Sequence, residues 1–208
     1  MANAMKPIVI VDYGMANLRS VQKAFEKVGH VAEISGDPNR VAECDRLVLP
    51  GVGAFKDAIA HLRQSGLGGP IVEHIRKGKK FLGICLGLQM LFSRSYEDGE
   101  HRGLDLFAGE VGRFPDQPRL KVPHMGWNTL RKKNAAAVLN ETSDGDAVYF
   151  VHSYYAVPRD ASIIATETDY PGPFCSAIAC DNVCATQFHP EKSQRVGLAI
   201  LMQFATWR

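Results

Sequence analysis

Phe81-Leu82-Gly83-Ile84-Cys85-Leu86-Gly87 runs as a short apolar strand straight into a helix start, with a cysteine at the corner. Few folds accept that combination. Gly83 and Gly87 stand two residues either side of Cys85, and small neighbours are what a strained strand-to-helix turn needs. Such a turn lifts the sulfur out at the carboxyl end of its strand, where open α/β sheets place their ligands. The segment therefore predicts a sheet with helices on its faces and Cys85 at its functional edge.

The first half of the chain agrees. Ile8-Val9-Ile10-Val11 suits a central strand. Leu18, Val21, Ala24, Phe25 and Val28 follow at helical spacing from about Asn17, with Gly29 placed to stop the helix. Residues 31–34 and 46–49 read as the next strands. Asp37-Pro38 opens a brief helix between them, a cap followed by proline at the first helical position. Ala58, Ile59 and Leu62 mark a further helix, and residues 70–77 another, closed by Gly78. Residues 81–84 form a fourth strand, and residues 86–92 begin the next helix. This alternation predicts a mostly parallel sheet covered on both faces. The second half changes character. Residues 111–114, 129–130, 147–151, 163–168, 176–179 and 183–187 read as short strands between turn residues, an antiparallel extension plus a small flanking sheet. A last helix is expected from Ser193, with Leu198, Leu201 and Phe204 facing the core.

No repeat or low-complexity linker divides the chain, and 208 residues that are 46% hydrophobic suffice for a single domain over residues 1–208. The net charge of +2 is spread among well-mixed basic and acidic residues, which leaves no footprint for nucleic acid. Arg131-Lys132-Lys133, the densest basic run, reads as a solvated turn. The cysteines are Cys44, Cys85, Cys175, Cys180 and Cys184. Their number is odd and no CxxC pair occurs, which points away from disulfides and a zinc site and towards a reducing cytoplasm. Met1-Ala2-Asn3-Ala4-Met5-Lys6 lacks the apolar stretch of a signal peptide, and Met5 offers a second start. No run is long enough to span a membrane. No cofactor and no metal are called for.

A lone cysteine in an apolar segment is more often a small core residue than a nucleophile. The flanking glycines shift that balance. A helix beginning after Cys85 would favour its thiolate, and the Leu86 N–H would serve as an oxyanion donor. Pro50-Gly51-Val52-Gly53, after the strand at 46–49, offers the other half of an oxyanion hole; an ordinary tight turn is the competing reading. A dinucleotide fingerprint fits poorly, since the third glycine is missing. Far downstream, His189 and Glu191 lie two positions apart at the end of the last strand. Alternation in an extended segment sends both side chains to one side, and Pro190 disfavours helix at His189. Glu191 then orients one imidazole nitrogen while the other faces the thiol. His30, His61, His74 and His101 read as surface or helix-face residues. His152 and Ser153 form a rival serine site on paper. Ser153 lacks glycine flanks, so a substrate-contact or structural role is expected there.

These motifs resemble the class I, triad-type glutamine amidotransferases, whose two signature segments match Gly83 to Gln89 and His189-Pro190-Glu191. Within them the chain is most similar to the glutaminase subunits of imidazole glycerol phosphate synthases. The likeness runs through Asp12 to Leu18, Leu49 to Phe55, Lys121 to Asn128, Phe150 to Tyr155 and Ala185 to Ser193. It implies a flavodoxin-like three-layer α/β sandwich. It implies a Cys85, His189, Glu191 triad, and an oxyanion hole from Leu86 and from Gly51, Val52 and Gly53 on a loop that in such enzymes reorients. Gln89, Glu97, His152, Ser153 and Tyr154 match substrate positions, with a carboxylate suiting the ammonium of L-glutamine. Tyr96 precedes Glu97 where the family pattern is more acidic. The partner implied is a cyclase subunit built as a (β/α)8 barrel and forming a heterodimer, with Asn17, His124, Trp127 and Asn128 near the interface. The competing readings are a glutaminase of a different synthase, a cysteine hydrolase or protease of similar fold, and a non-catalytic interaction subunit.

Overall fold

The computed structural model describes residues 7–118 and 120–208; the second start at Met5 lies outside them. The first half is a run of strand-helix units: β1 (Ile8–Val11), α1 (Leu18–Lys27), β2 (Ala32–Ser35), α2 (Pro38–Glu43), β3 (Arg46–Gly51), α3 (Phe55–Gln64), α4 (Gly68–Arg76), β4 (Lys80–Cys85) and the single turn α5 (Leu86–Gln89). The second half is almost all strand: β5 (Phe92–Ser95), β6 (His101–Arg102), β7 (Phe107–Arg113), β8 (His124–Thr129), β9 (Arg131–Lys132), β10 (Ala147–His152), β11 (Tyr154–Pro158), β12 (Ile164–Asp169), β13 (Pro173–Cys180) and β14 (Val183–Thr186). Helix α6 (Gln194–Thr206) closes the chain.

The central sheet has the order β2-β1-β3-β4-β14-β13-β12-β9. Its first five strands are parallel, and antiparallel pairs of β14 with β13, β13 with β12, and β12 with β9 extend it. The predicted division between a parallel and an antiparallel half is thus the observed one. Alternation distributes each parallel strand inside the edge strand β2 over two cores. Ile8 and Ile10 pack on one face, with Phe25 of α1 and Phe204 of α6 in ring contact at 6.2 Å. Val9 and Val11 pack on the other, with Val41, Ile59, Leu62 and Ile71. Strands buried on both faces in this way read as continuous apolar runs. Each fully buried Leu, Ile or Phe contributes roughly 1.5–3 kcal/mol.

Two local expectations are corrected and one is narrowed. The helix predicted over 86–92 stops after one turn, because Phe92 is claimed by β5, which pairs with β6 and β7 in a four-stranded sheet ordered β11-β7-β5-β6. Arg131-Lys132-Lys133 is not a turn. Arg131 and Lys132 form the edge strand β9, where Arg131 pairs with Glu167 at 2.6 Å. Of the two readings offered for His74, surface or helix face, the second holds: it lies on the buried face of α4, with Nδ1 3.7 Å from Cys44 Sγ and Nε2 3.1 Å from the Lys80 carbonyl.

Candidate active site

Strands β4 and β14 are parallel neighbours, with Ile84 opposite Thr186. One step further along that register sets Gln187 beside Cys85, and His189 follows at the same sheet edge. Cys85 has φ 55° and ψ −108°, the left-handed region that a non-glycine residue occupies at a cost of about 1–3 kcal/mol. The turn survives because its surroundings leave no other course. A Cβ on Gly87 would stand 1.8 Å from the Leu49 carbonyl oxygen, so the α5 turn rests directly on β3. The predicted glycine-flanked corner is therefore present, but the helix after it is too short for a strong dipole at the sulfur.

His189 is 3% exposed, and its Nδ1 donates to Glu191 Oε1 at 2.9 Å. The route to that contact differs from the expectation. Only His189 is extended; Pro190–Lys192 form a 3-10 turn that folds the carboxylate back under the ring. Ser193 clamps the turn. Its hydroxyl donates to the His189 carbonyl at 2.7 Å and accepts the Tyr149 N–H at 3.0 Å. With Nδ1 spent on Glu191, Nε2 is left buried and unpartnered beside Cys85. Burial alone would lower the imidazole pKa. The adjacent Cys85, and then Glu191, outweigh it and hold the ring well above the ordinary value. The arrangement sets an oriented imidazole beside a cysteine, as covalent catalysis by a thiol requires.

Cys85 and His189 open into one cavity of about 180 Å³, also lined by Val52, Gly53, Leu86, Gln89, Glu97, His152, Ser153 and Tyr154. The residues expected at the substrate thus share one space. Glu97 is half-buried, and its Oε2 accepts the Phe55 N–H at 2.7 Å; burial raises its pKa. Gln89 spends its Nε2 on the Tyr154 carbonyl at 2.9 Å and on Gln187 Oε1 at 3.1 Å. Only its carbonyl oxygen remains for a ligand, which suits a cationic group.

At the oxyanion half expected from Gly51 to Gly53, Val52 and Gly53 line the cavity but the Val52 N–H is spent elsewhere. It donates to the Met15 carbonyl at 3.2 Å. Gly51 stands opposite Cys85 in the β3–β4 register, and a Cβ there would meet the Tyr13 hydroxyl at 2.6 Å. Tyr13, which sequence reasoning passed over, is buried with its hydroxyl unpartnered; burial and then Cys85 raise its pKa. Gln187 was also passed over. It is fully buried, and its Nε2 donates to Cys85 Sγ at 3.6 Å.

The four residues expected near a partner lie on two elements. Asn17 is exposed at the start of α1. Trp127 is 50% exposed on β8, which excludes a core role for it, and Asn128 beside it is partly exposed. His124 is buried, stacked between Tyr170 at 3.9 Å and Phe150 at 4.8 Å.

The family model for glutamine amidotransferase class-I matches residues 9–206. Imidazole glycerol phosphate synthase subunit HisH of Syntrophotalea carbinolica is 55% identical over 95% of this chain and 98% of its own. The same-named subunit of Geobacter sulfurreducens is 54% identical over 96% and 98%, and that of Aquifex aeolicus 55% over 94% of each. Among solved structures, one chain of PurLQS from Thermotoga maritima superposes with a TM-score of 0.72 at 17% identity, over 97% of this chain and 98% of that one. At that identity the likeness speaks for the fold alone. The Cys-His-Glu geometry and the end-to-end match to these relatives agree: the chain belongs to the class-I glutamine amidotransferases, in the family of imidazole glycerol phosphate synthase subunit HisH.

Proposed function

We propose that this chain hydrolyses L-glutamine at Cys85 and hands the ammonia to a (β/α)8-barrel cyclase subunit, with which it forms a heterodimeric imidazole glycerol phosphate synthase. The observation that carries the reading is a strained, buried Cys85 opening into the same cavity as an imidazole already oriented by Glu191. Cys85 Sγ attacks the carboxamide carbon of glutamine. The S–C bond forms and the carbonyl electrons move to oxygen, where the Leu86 N–H receives them. His189 delivers a proton to the amide nitrogen, the C–N bond breaks, and ammonia leaves. Water, deprotonated by His189, then cleaves the glutamyl thioester and releases glutamate. Glu97 and the Gln89 carbonyl oxygen meet the α-ammonium of the substrate; Ser153 and Tyr154 complete the pocket, with His152 behind them.

The Val52 N–H becomes the second oxyanion donor when the Gly51–Val52 peptide turns away from Met15. A resting state with that donor withdrawn makes unaccompanied turnover slow, and docking of the partner is what reorients the loop. Asn17, Trp127 and Asn128 offer the exposed groups for that docking, and His124 supports them from inside. Ammonia in bulk water is protonated and loses its nucleophilicity, so transfer through a shielded partner fits the chemistry. Among the described residues no helix is long and apolar enough to cross a membrane, and a cytoplasmic biosynthetic role fits five free cysteines.

The test is ammonia release from glutamine by the purified chain, alone and with the barrel cyclase and its nucleotide bound. Slow release alone and strong stimulation by the pair is the expected result. Equal turnover in both samples overturns the coupled reading.

A further inference from the structure

Two hydrogen-bonded arms meet at the Tyr154 carbonyl, one from Asn128 at the surface and one from the nucleophile, and each has a fixed direction. The first begins at Asn128, whose Oδ1 accepts the Thr129 N–H at 2.8 Å and whose Nδ2 donates to the Asp169 carbonyl at 3.0 Å. The amide orientation is therefore fixed by two backbone groups of opposite kind. The same Nδ2 lies 3.3 Å from His124 Nε2, which must accept. The His124 proton then sits on Nδ1 and is donated to His152 Nε2 at 3.2 Å. That leaves the His152 proton on Nδ1, 2.9 Å from the Tyr154 carbonyl, which can only accept. Both ends of this arm dictate the same tautomers.

The Tyr154 carbonyl also accepts from Gln89 Nε2, so nitrogen is the Gln89 atom that faces Gln187. Gln187 answers with Oε1, and its Nε2 is turned onto Cys85 Sγ at 3.6 Å. No link can be reversed without setting two donors or two acceptors against each other in a space where Gln187 has no exposure to water.

We propose that Gln187 is a positioning residue for the nucleophile: its Nε2–H holds Cys85 Sγ, and its orientation is enforced by Gln89, whose own amide is fixed by the Tyr154 carbonyl. The assignment rests on the reading of Cys85 as the glutaminase nucleophile. It accounts for what the single turn of α5 cannot supply, a directed donor for the sulfur. A hydrogen bond to the charged form of a group favours that form. The titratable groups against Cys85 are His189 and Tyr13, and neither contacts Gln187 in the arm described.

The test uses Gln187→Met, which keeps length and removes the donor, and Gln89→Met, which removes the donor that holds Gln187 Oε1. Cys85 is alkylated with iodoacetamide across pH in the complex with the cyclase, and glutamine turnover is measured on the same samples. Gln187→Met should move the alkylation midpoint upward by about one pH unit, the tenfold loss of thiolate expected for one charge-assisted hydrogen bond. Its kcat should fall by about as much with KM for glutamine nearly unchanged. Gln89→Met should move the midpoint the same way by a smaller amount, since Gln187 is then free to turn its oxygen to the sulfur. A midpoint unchanged in both folded variants overturns the proposal. Alkylation needs no substrate, so a wild-type complex that fails to hydrolyse glutamine sinks the functional reading without deciding the role of Gln187.

Discussion

Gly87→Ala puts the elbow under direct strain. The new Cβ would lie 1.8 Å from the Leu49 carbonyl oxygen. Non-bonded carbon and oxygen approach to about 3.3 Å, so the α5 turn and strand β3 must separate by about 1.5 Å. The obstructing atom is backbone in the middle of a parallel sheet, and no side-chain rotation relieves it. Overpacking of this kind costs about 3 kcal/mol or more, which for a chain of this size lowers Tm by roughly 6–12 °C. The same shift moves Cys85 relative to His189, and a 1 Å misplacement of reacting groups costs about a hundredfold in rate. Gly112→Ala on β7 is the control, since its Cβ would meet nothing within 4 Å. Thermal melts by circular dichroism and glutaminase assays with the cyclase read both effects. If Gly87→Ala melts with Gly112→Ala and turns over glutamine at the wild-type rate, the packing account of the elbow is wrong.

Glu191→Gln removes the carboxylate that holds His189 Nδ1 at 2.9 Å; kcat should fall by about 10–100-fold at nearly constant KM, and an unchanged kcat would remove Glu191 from its orienting role. Ser193→Ala removes the clamp on both Tyr149 and His189, with an expected loss of about 1–3 kcal/mol in urea unfolding and a lower kcat; no change in either would show the turn to be self-supporting. The buried pair His124 and His152 gives the stability a pH signature. Burial pushes His124 down to about 4 and His152 down to about 3. The unfolded chain takes up those protons near pH ~6.5, so the pair's contribution is complete above that pH and is lost as the pH falls towards 4. The difference in urea midpoint between wild type and His124→Asn should shrink over that interval, and a constant difference would contradict neutral burial.

The parallel half of the fold was legible because its strands inside the edge strand β2 are buried on both faces. Ile8–Val11 and Phe81–Ile84 carry no polar residue, and the Asp37-Pro38 cap works as written, with Asp37 accepting the Asn39 N–H at 2.9 Å. The second half was harder to read. Phe92–Ser95 is a strand with only its end residues buried, and the apolar run before it, Leu86 to Phe92, imitates a longer helix than α5. Tyr154–Pro158 contains a proline and was hidden behind the substrate motif that precedes it. Cys85, His189 and Glu191 were legible from residue type and spacing, although the spacing works through a 3-10 turn and not through extended alternation. Gln187, Tyr13 and the buried role of His124 were not. Their importance comes from which atom faces which across the end of the sheet, and one-dimensional spacing does not carry that.

Rapid quenching of the complex during glutamine turnover, followed by mass spectrometry of its peptides, asks the central question most simply. A glutamyl group held as a thioester on the Cys85 peptide, absent from Cys85→Ala together with all ammonia release, is the predicted result. An adduct on any other residue, or glutamine hydrolysis that survives in Cys85→Ala, would contradict the account.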